Sequence, residues 1–582
     1  MDRAATSEQR EGGSPLSGRP WLKSYAPGVE AEVQVRHQSL PEMLASSGVR
    51  FGDRVALDFF GAETTYGELA EQVSRAAQAL HAAGVSAGDR VALVLPNCPQ
   101  HVVAFYATLR LGAVVVEHNP LYTATELAHQ LSSCGAKVAV CWDKTAAVID
   151  GLRAQTAVQT ILAVDLTTAL PWRKRLALRL PVAKARAARA AMTGPVPQGV
   201  LSWESVSEST GPLAPAHPQP GPTDVALLQY TGGTTGTPKG AVLTHRNLLT
   251  NAAQGQAWMP GLKDGEETVY AVLPLFHAYG LTLCLTYSMS VGATLVLLPR
   301  FDLDQMLEAI ARRPPTFLPA VPPIYERLAA AARDGRVDLT SIRYAISGAM
   351  ALPPALVERW ESVSGGLLVE GYGMTETSPV SLGNPAAETR RPGTVGVPFP
   401  STRIRIVDPD DPCRDLPIGA PGELLIGGPQ VFAGYWNAPA ETAAVLLPGG
   451  WLRTGDIVVA DADGFVTIVD RIKELIVTGG FNVYPSEVED VLRDLPEIAD
   501  LAVVGVRSTG DTGEEVVVAV VPVAGVTVDP ERVRAYAHER LTGYKVPRRV
   551  VIVDDLPRSQ IGKILRRRVR DRIEAMGAFD PG

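Results

Sequence analysis

Short apolar runs alternate with stretches of helical spacing along the first two thirds of the chain. Residues 91–95 read Val-Ala-Leu-Val-Leu and end at a Pro-Asn-Cys-Pro turn. The spacing after that turn predicts an amphipathic helix over 101–111, an apolar strand at 113–116, a helix at 124–132 and a strand at 138–142. Strands without polar alternation, separated by helices, point to a largely parallel sheet with helices on its faces. A second set of the same kind runs from 268 to 370. Beyond Thr394 the rhythm changes. Short strands at 403–407 and 422–426 are split by Gly/Pro turns, which predicts a small β-rich subdomain. A helix at 485–495, a strand from 501 and a last strand near 550–553 predict a final α+β unit.

Two segments depart from this rhythm. Residues 269–299 hold no Asp, Glu, Lys or Arg, a length that could span a bilayer. Pro274, His277, Gly280 and Gly292 interrupt it, and 295–298 ends it like a buried strand. Strand, loop, helix and strand of a buried α/β core is therefore the expectation. Residues 171–192 carry Arg173, Lys174, Arg175, Arg179, Lys184, Arg186 and Arg189, with no acid between Asp165 and Glu204. Trp172, Leu176, Leu178, Leu180 and Val182 are interleaved, and Pro181 breaks any long helix. Two readings stay open: a solvated helical excursion, or docking on an anionic membrane surface.

At 582 residues the chain exceeds a single core, so two or more domains are expected. A net charge of −8 argues against a general nucleic-acid binder. The five cysteines form no CxxC pair, which argues against a disulfide framework or a zinc site and fits the reducing cytoplasm. The polar N-terminus has no signal-peptide core, and residues 1–20 are expected to be disordered.

The chemistry centres on residues 231–239. Thr231, Gly232, Gly233, Thr234, Thr235, Gly236 and Thr237 are followed by a proline and Lys239, between two apolar runs. Glycine lets backbone N–H groups approach an anion, threonine adds donors, and lysine adds charge: a phosphate-holding loop. It is not a Walker A loop, because Gly240 stands where that motif needs Ser or Thr. Residues 371–377 follow an apolar strand. There Gly371 and Gly373 bracket Tyr372, a flat face for a purine, and Met374 and Thr375 lead to Glu376, whose oxygens suit Mg²⁺.

In these motifs the chain resembles the adenylate-forming superfamily of acyl-CoA synthetases, luciferases and adenylation domains, and within it bacterial long-chain fatty-acid–CoA ligases. The resemblance implies an α/β fold: a large N-terminal domain with two doubly wound sheets and a small β-barrel-like subdomain, then a hinged, small α+β C-terminal domain. Its domains would be 21–470, binding ATP and the acyl group, and a mobile 471–582. It implies that the threonine–glycine loop, Lys239, Gly348 and residues 371–375 hold ATP, and that Asp456 and Arg471 hold its ribose and phosphates. Thr235 and Glu376 would bind Mg²⁺. His277, Tyr279, Gly280, Gly348 and Ala349 would line the acyl pocket, where the absence of an Asp tells against an amino-acid substrate. Lys563, within a Pro-Arg-x-x-x-Gly-Lys run, would be catalytic together with Glu376 and His277. In that run Ser559 stands where the family often has Thr. Asp470 would be the hinge, and Gly479, Gly480 and Phe481 would meet CoA. The implied reaction joins a fatty acid to CoA through an acyl-adenylate, using ATP, Mg²⁺ and CoA. An acyl-AMP ligase loading a carrier protein, or a ligase for medium-chain or aryl acids, is the alternative. A homodimer, and a place in the cytoplasm or at the inner face of the membrane, complete the expectations.

Overall fold

The computed structural model describes residues 14–231, 238–478, 481–507, 514–559 and 562–577. The chain forms two compact units. One comprises Trp21–Arg403 and Gly427–Leu452; the other comprises the described residues of Met1–Pro20, Ile404–Ile426 and Arg453–Gly582.

The larger unit is built on two sheets. The seven-stranded sheet runs in the order Leu201–Ser202, Thr160–Val164, Val138–Trp142, Arg90–Val94, Val114–Glu117, Val225–Thr231 and Lys239–Thr244. All its pairs are parallel except the last. The nine-stranded sheet is parallel in its centre, through Val55–Phe59, Thr294–Leu297, Thr268–Ala271, Phe317–Ala320, Tyr344–Ser347 and Leu367–Gly373. Antiparallel strands close both of its edges. Central strands buried on both faces explain the unbroken apolar runs in the sequence. Helices start where side chains can cap them: Thr65, Thr123 and Thr244 each form a reciprocal capping box.

The predicted helix over 101–111 forms as Pro99–Arg110, but it is not amphipathic in place. Residues 100–109 are all buried. Helices Leu40–Arg50 and Tyr66–Ala82 cover one side, and strands Arg90–Val94 and Val114–Glu117 the other. Its polar His101 is satisfied internally, with Nε2 2.9 Å from Glu117 Oε1 and both side chains fully buried. The charge-free stretch 269–299 is core: a strand, a helical passage from Ala278 to Val291 that includes a π-type segment Leu281–Thr286, and a second strand. Among the described residues no helix is long and apolar enough to cross a membrane.

Most residues of a five-stranded sheet fall in the smaller unit. It includes Arg403–Val407, Gly422–Gly427 and Trp451–Ala460, with Val466–Arg471 antiparallel to the last. A three-stranded sheet follows, of Ile498–Arg507, Glu514–Pro522 and Arg549–Ile552. Alternation serves both its faces. Leu501, Val503, Val516 and Val518 enter one core with residues of helices Pro485–Leu492 and Pro530–Arg540. Ala502, Val504, Val517 and Ala519 enter another with Val569 and Ile573 of helix Arg566–Gly577.

One expectation needs correcting. Residues 1–13 lie outside the described residues, but 14–20 are ordered, with hydrogen-bonded turns from Ser17 to Ser14 and from Arg19 to Leu16. Leu16 is buried. Leu16 is the apolar anchor that a polar average over the first twenty residues conceals.

Candidate functional site

In the larger unit, strands Val225–Thr231 and Lys239–Thr244 pair antiparallel, with Thr231 opposite Lys239 and Tyr230 opposite Gly240. The proposed phosphate loop thus leaves and re-enters a closed strand pair. Gly232, Gly233, Thr234, Thr235, Gly236 and Thr237 lie outside the described residues. The base of the pair is fixed in the core. Tyr230 is buried, donates from its hydroxyl to the Gln130 carbonyl at 3.2 Å, and stacks on His118 with ring centres 6.0 Å apart. The Lys239 ammonium lies 5.5 Å from the centre of the Tyr435 ring.

Strand Leu367–Gly373 ends in a 3₁₀ turn, Thr375–Thr377. Gly371 faces Gly383 on the neighbouring strand. At Gly373 a Cβ would stand 1.7 Å from the Pro379 carbonyl oxygen, so no other residue fits without moving the backbone. The turn is closed by Met374 N–H donating to Pro379 O at 2.9 Å and Ser378 N–H donating to Thr375 O at 3.2 Å. Tyr372 is 8% and Glu376 6% exposed. Glu376 is gripped twice: its carbonyl accepts from Phe432 N–H at 2.9 Å, and its Oε1 accepts from the Tyr435 hydroxyl at 2.6 Å. Among the described residues no group of three His, Cys, Asp or Glu is placed to hold a metal. A single buried carboxylate fits Mg²⁺ bound jointly with nucleotide phosphates, which needs only one or two protein carboxylates.

His277 precedes the helical turn Ala278–Gly280, and its Nδ1 accepts from Tyr279 N–H at 3.2 Å. Burial pushes its pKa down to about 4, so the ring is neutral at pH 7. Tyr279 donates to the Ile346 carbonyl at 2.6 Å, and its ring covers Gly348, where a Cβ would approach to 3.1 Å. Ala349 holds φ of 67°, in the left-handed region. Gly280 lies against the Pro274 carbonyl, which a Cβ would meet at 2.2 Å. His277, Tyr279, Gly280 and Gly348 therefore form one packed group. Glu370, beside Gly371, is also buried, and burial raises its pKa to about 8 against a hydrogen bond from the Leu352 backbone.

In the smaller unit Asp456 and Arg471 face each other on adjacent strands, with Arg471 Nε 2.9 Å from Asp456 Oδ1. Asp470 is buried, and its two oxygens accept from Arg471 N–H at 2.7 Å and Ser486 N–H at 3.0 Å. Burial raises its pKa, and those two hydrogen bonds oppose the rise. Lys563 lies in a tight turn: Ser559 N–H donates to its carbonyl at 2.7 Å, and Gly562 supplies φ of 83°. Burial and then the Arg471 charge lower the Lys563 pKa to about 8, while Glu474 and Asp456 oppose the shift. Arg566 is ion-paired to Glu489 at 2.8 Å and to Glu474. Gly479, Gly480 and the Phe481 side chain lie outside the described residues.

A model described as AMP-binding enzyme matches residues 44–436, and one described as AMP-binding enzyme C-terminal domain matches 487–563. The chain belongs to the AMP-binding enzyme family. A long-chain-fatty-acid–CoA ligase of Bacillus subtilis is 38% identical over 95% of this chain and 98% of its own. An indoleacetate–CoA ligase of Aromatoleum aromaticum is 35% identical over 89% of this chain and 95% of its own. The ATP-bound crystal structure of MatB from Rhodopseudomonas palustris superposes with a TM-score of 0.79 at 30% identity, covering 92% of this chain and 99% of that one. The likeness extends over both units, as the family resemblance in the sequence implied. Glu474, Arg566 and Tyr435 escaped the sequence reading. The first two sit in charged runs typical of solvated surface. Tyr435, in a Gly-Tyr-Trp string, carries no mark of the carboxylate it meets from 59 residues away.

Proposed function

We propose that this protein is an ATP-dependent long-chain fatty-acyl–CoA ligase. The observation that carries the reading is the near-full-length likeness to a relative of that name. The segment 269–299 that carries His277 and Tyr279 supports it, since it holds no Asp or Glu to meet a substrate ammonium. In this reading the fatty-acid carboxylate attacks the α-phosphate of ATP and pyrophosphate leaves. The CoA thiol then attacks the acyl carbon, loses its proton, and AMP departs.

In this reading each group has a task. The loop between Thr231 and Lys239 holds the departing pyrophosphate. Tyr372 backs the adenine, and Asp456 with Arg471 grips the ribose and phosphates. Lys563 supplies positive charge as negative charge builds on the phosphoryl oxygens. Glu376, with Thr235, is the place for Mg²⁺, which would neutralise phosphate charge when bound. The loop at Gly479 and Gly480 serves CoA. The chain is read as a domain of 21–470 and a mobile one of 471–582, with Asp470 as the hinge that lets one active site serve two half-reactions.

A panel assay tests the reading: AMP release and thioester formation with long-chain, medium-chain and indoleacetic acids, each with CoA and with an acyl-carrier protein. Turnover on long-chain acids with CoA is expected to dominate. The likeness to an indoleacetate–CoA ligase favours the aryl reading second, and preference for indoleacetate would establish it in place of the first. Transfer only to the carrier protein would make the enzyme an acyl-AMP ligase.

The basic segment extends the proposal to the membrane. Helices Trp172–Ala177 and Ala183–Met192 flank Pro181, and Trp172, Leu176, Leu180 and Val182 are more than half exposed. Apolar side chains exposed among basic ones suit an anionic lipid surface, where a water-poor substrate partitions. Replacing Arg173, Lys174, Arg175 and Arg179 by Gln is expected to reduce sedimentation with anionic vesicles at low salt while sparing turnover of a short soluble acid. Binding that survives the change, or is absent in the parent, identifies a solvated face.

A further inference from the structure

The segment 431–436 comes late in the larger unit, yet it fastens two of the motifs placed at the nucleotide. Its backbone is tied to the strand that carries Lys239: Val242 N–H donates to Gly434 O at 2.9 Å, Ala433 N–H to Val242 O at 3.0 Å and Trp436 N–H to Gly240 O at 2.8 Å. It is tied equally to the turn that carries Glu376, through Phe432 N–H and the Tyr435 hydroxyl. Tyr435 is held in turn. Its N–H donates to Thr442 Oγ1 at 2.9 Å, and the Phe432 ring packs edge-on against it at 4.9 Å. One face of its ring receives the Lys239 ammonium. At neutral pH a phenol keeps its proton, so its hydroxyl is the donor to Glu376.

We infer that Tyr435 is a positioning residue for adenylate formation, fixing the Glu376 carboxylate by its hydroxyl and the Lys239 ammonium by its ring face. The inference rests on the reading of Glu376 as the nucleotide and Mg²⁺ carboxylate. A 2.6 Å hydrogen bond from a packed phenol restricts the rotamers of this carboxylate before any nucleotide binds.

Tyr435→Phe keeps the ring, its packing and the cation–π contact, and removes only the donor. Measured by pyrophosphate exchange, kcat for adenylate formation should fall about tenfold or more, the scale for losing a hydrogen bond to a charged group. The KM for fatty acid should stay within about twofold, and conversion of supplied acyl-adenylate to acyl-CoA should be unchanged. Calorimetric titration of ATP should show a weaker dependence of affinity on Mg²⁺. In a Glu376→Gln background the Phe substitution should add nothing, because the group it orients is already lost. Tyr435→Leu, which also removes the ring face, should cost more than Tyr435→Phe. Equal losses in both half-reactions, a fully additive double variant, or an unaltered exchange rate in Tyr435→Phe would overturn the inference. If Glu376→Gln by itself leaves exchange and Mg²⁺ dependence unchanged, the role given to Glu376 fails instead.

Discussion

The two units hold their candidate groups by different physical means. In the larger one, position is chiefly a property of the backbone, with Tyr435 adding side-chain contacts to Glu376 and Lys239. Thr231 and Lys239 face each other across a strand pair, Gly371 and Gly373 end a sheet strand, and Gly348 lies under a buried tyrosine. In the smaller one, position is a property of charge. Asp456 answers Arg471, Arg566 answers Glu474 and Glu489, and Lys563 stands among four of these charges. Steric fixing is insensitive to pH and salt and fails abruptly when volume changes. Electrostatic fixing tolerates volume change and responds gradually to protonation. Substitutions in the two units should therefore fail in different ways.

The largest effect is expected at Gly373. Adding one methyl in Gly373→Ala drives Cβ onto the Pro379 carbonyl. It should cost about 3 kcal/mol or more in a denaturant titration, at the top of the range for overpacking. A loss below about 0.5 kcal/mol would show that this strand end yields, and the contrast with the smaller unit would collapse. Next comes Lys563→Ala, which should leave the fold intact while slowing adenylate formation by roughly 10²-fold, the scale of a lost transition-state donor. Conversion of supplied acyl-adenylate should persist. Equal damage to both half-reactions would remove Lys563 from its assigned step.

The third prediction uses the same lysine without mutation. Its pKa is lowered to about 8, so the charged form prevails below that value and is lost above it. For the free enzyme, kcat/KM for ATP in pyrophosphate exchange should decline above pH 8, approaching about tenfold per unit. Lys563→Arg, charged throughout, should flatten that limb even if its rate is low. A decline that persists in the Arg variant would assign the titration to another group. His277, already neutral, should contribute no inflection near its ordinary pKa of 6.5. The smallest effect belongs to the backbone-held unit. Thr65→Ala removes a capping box and should cost about 1 kcal/mol of stability with no change in either half-reaction. A change in activity would mean that the sheets transmit strain farther than their packing suggests.

Most of the larger unit was legible because parallel strands must be apolar throughout. The runs at 91–95, 138–142 and 268–272 therefore announced themselves, with boundaries off by a residue or so. The helix at Pro99–Arg110 was placed but misread in character. A histidine in an apolar helix resembles a polar face, and its partner Glu117 lies on a strand that helical spacing cannot see. The glycine string at 371–373 was legible because close backbone approach leaves no other residue type available at Gly373. The charge-held groups were hard to find for the opposite reason. Glu474 and Arg566 are separated by 92 residues, and each alone is indistinguishable from solvated surface. Tyr435 was invisible for the same reason, since what it does depends on a partner brought to it by the fold.

The interleaving of the two units has a consequence for synthesis. The chain crosses between them at 20/21, 403/404, 426/427 and 452/453, so neither is a continuous stretch of sequence. Tyr435 follows Glu376 by 59 residues. At a synthesis rate of roughly 5–20 residues per second, the carboxylate waits about 3–12 s on the ribosome for the phenol that orients it. A nascent chain can therefore hold both large sheets nearly complete while the turn that carries Glu376 is still unfastened. Ribosomal pausing between 404 and 434 would lengthen that interval.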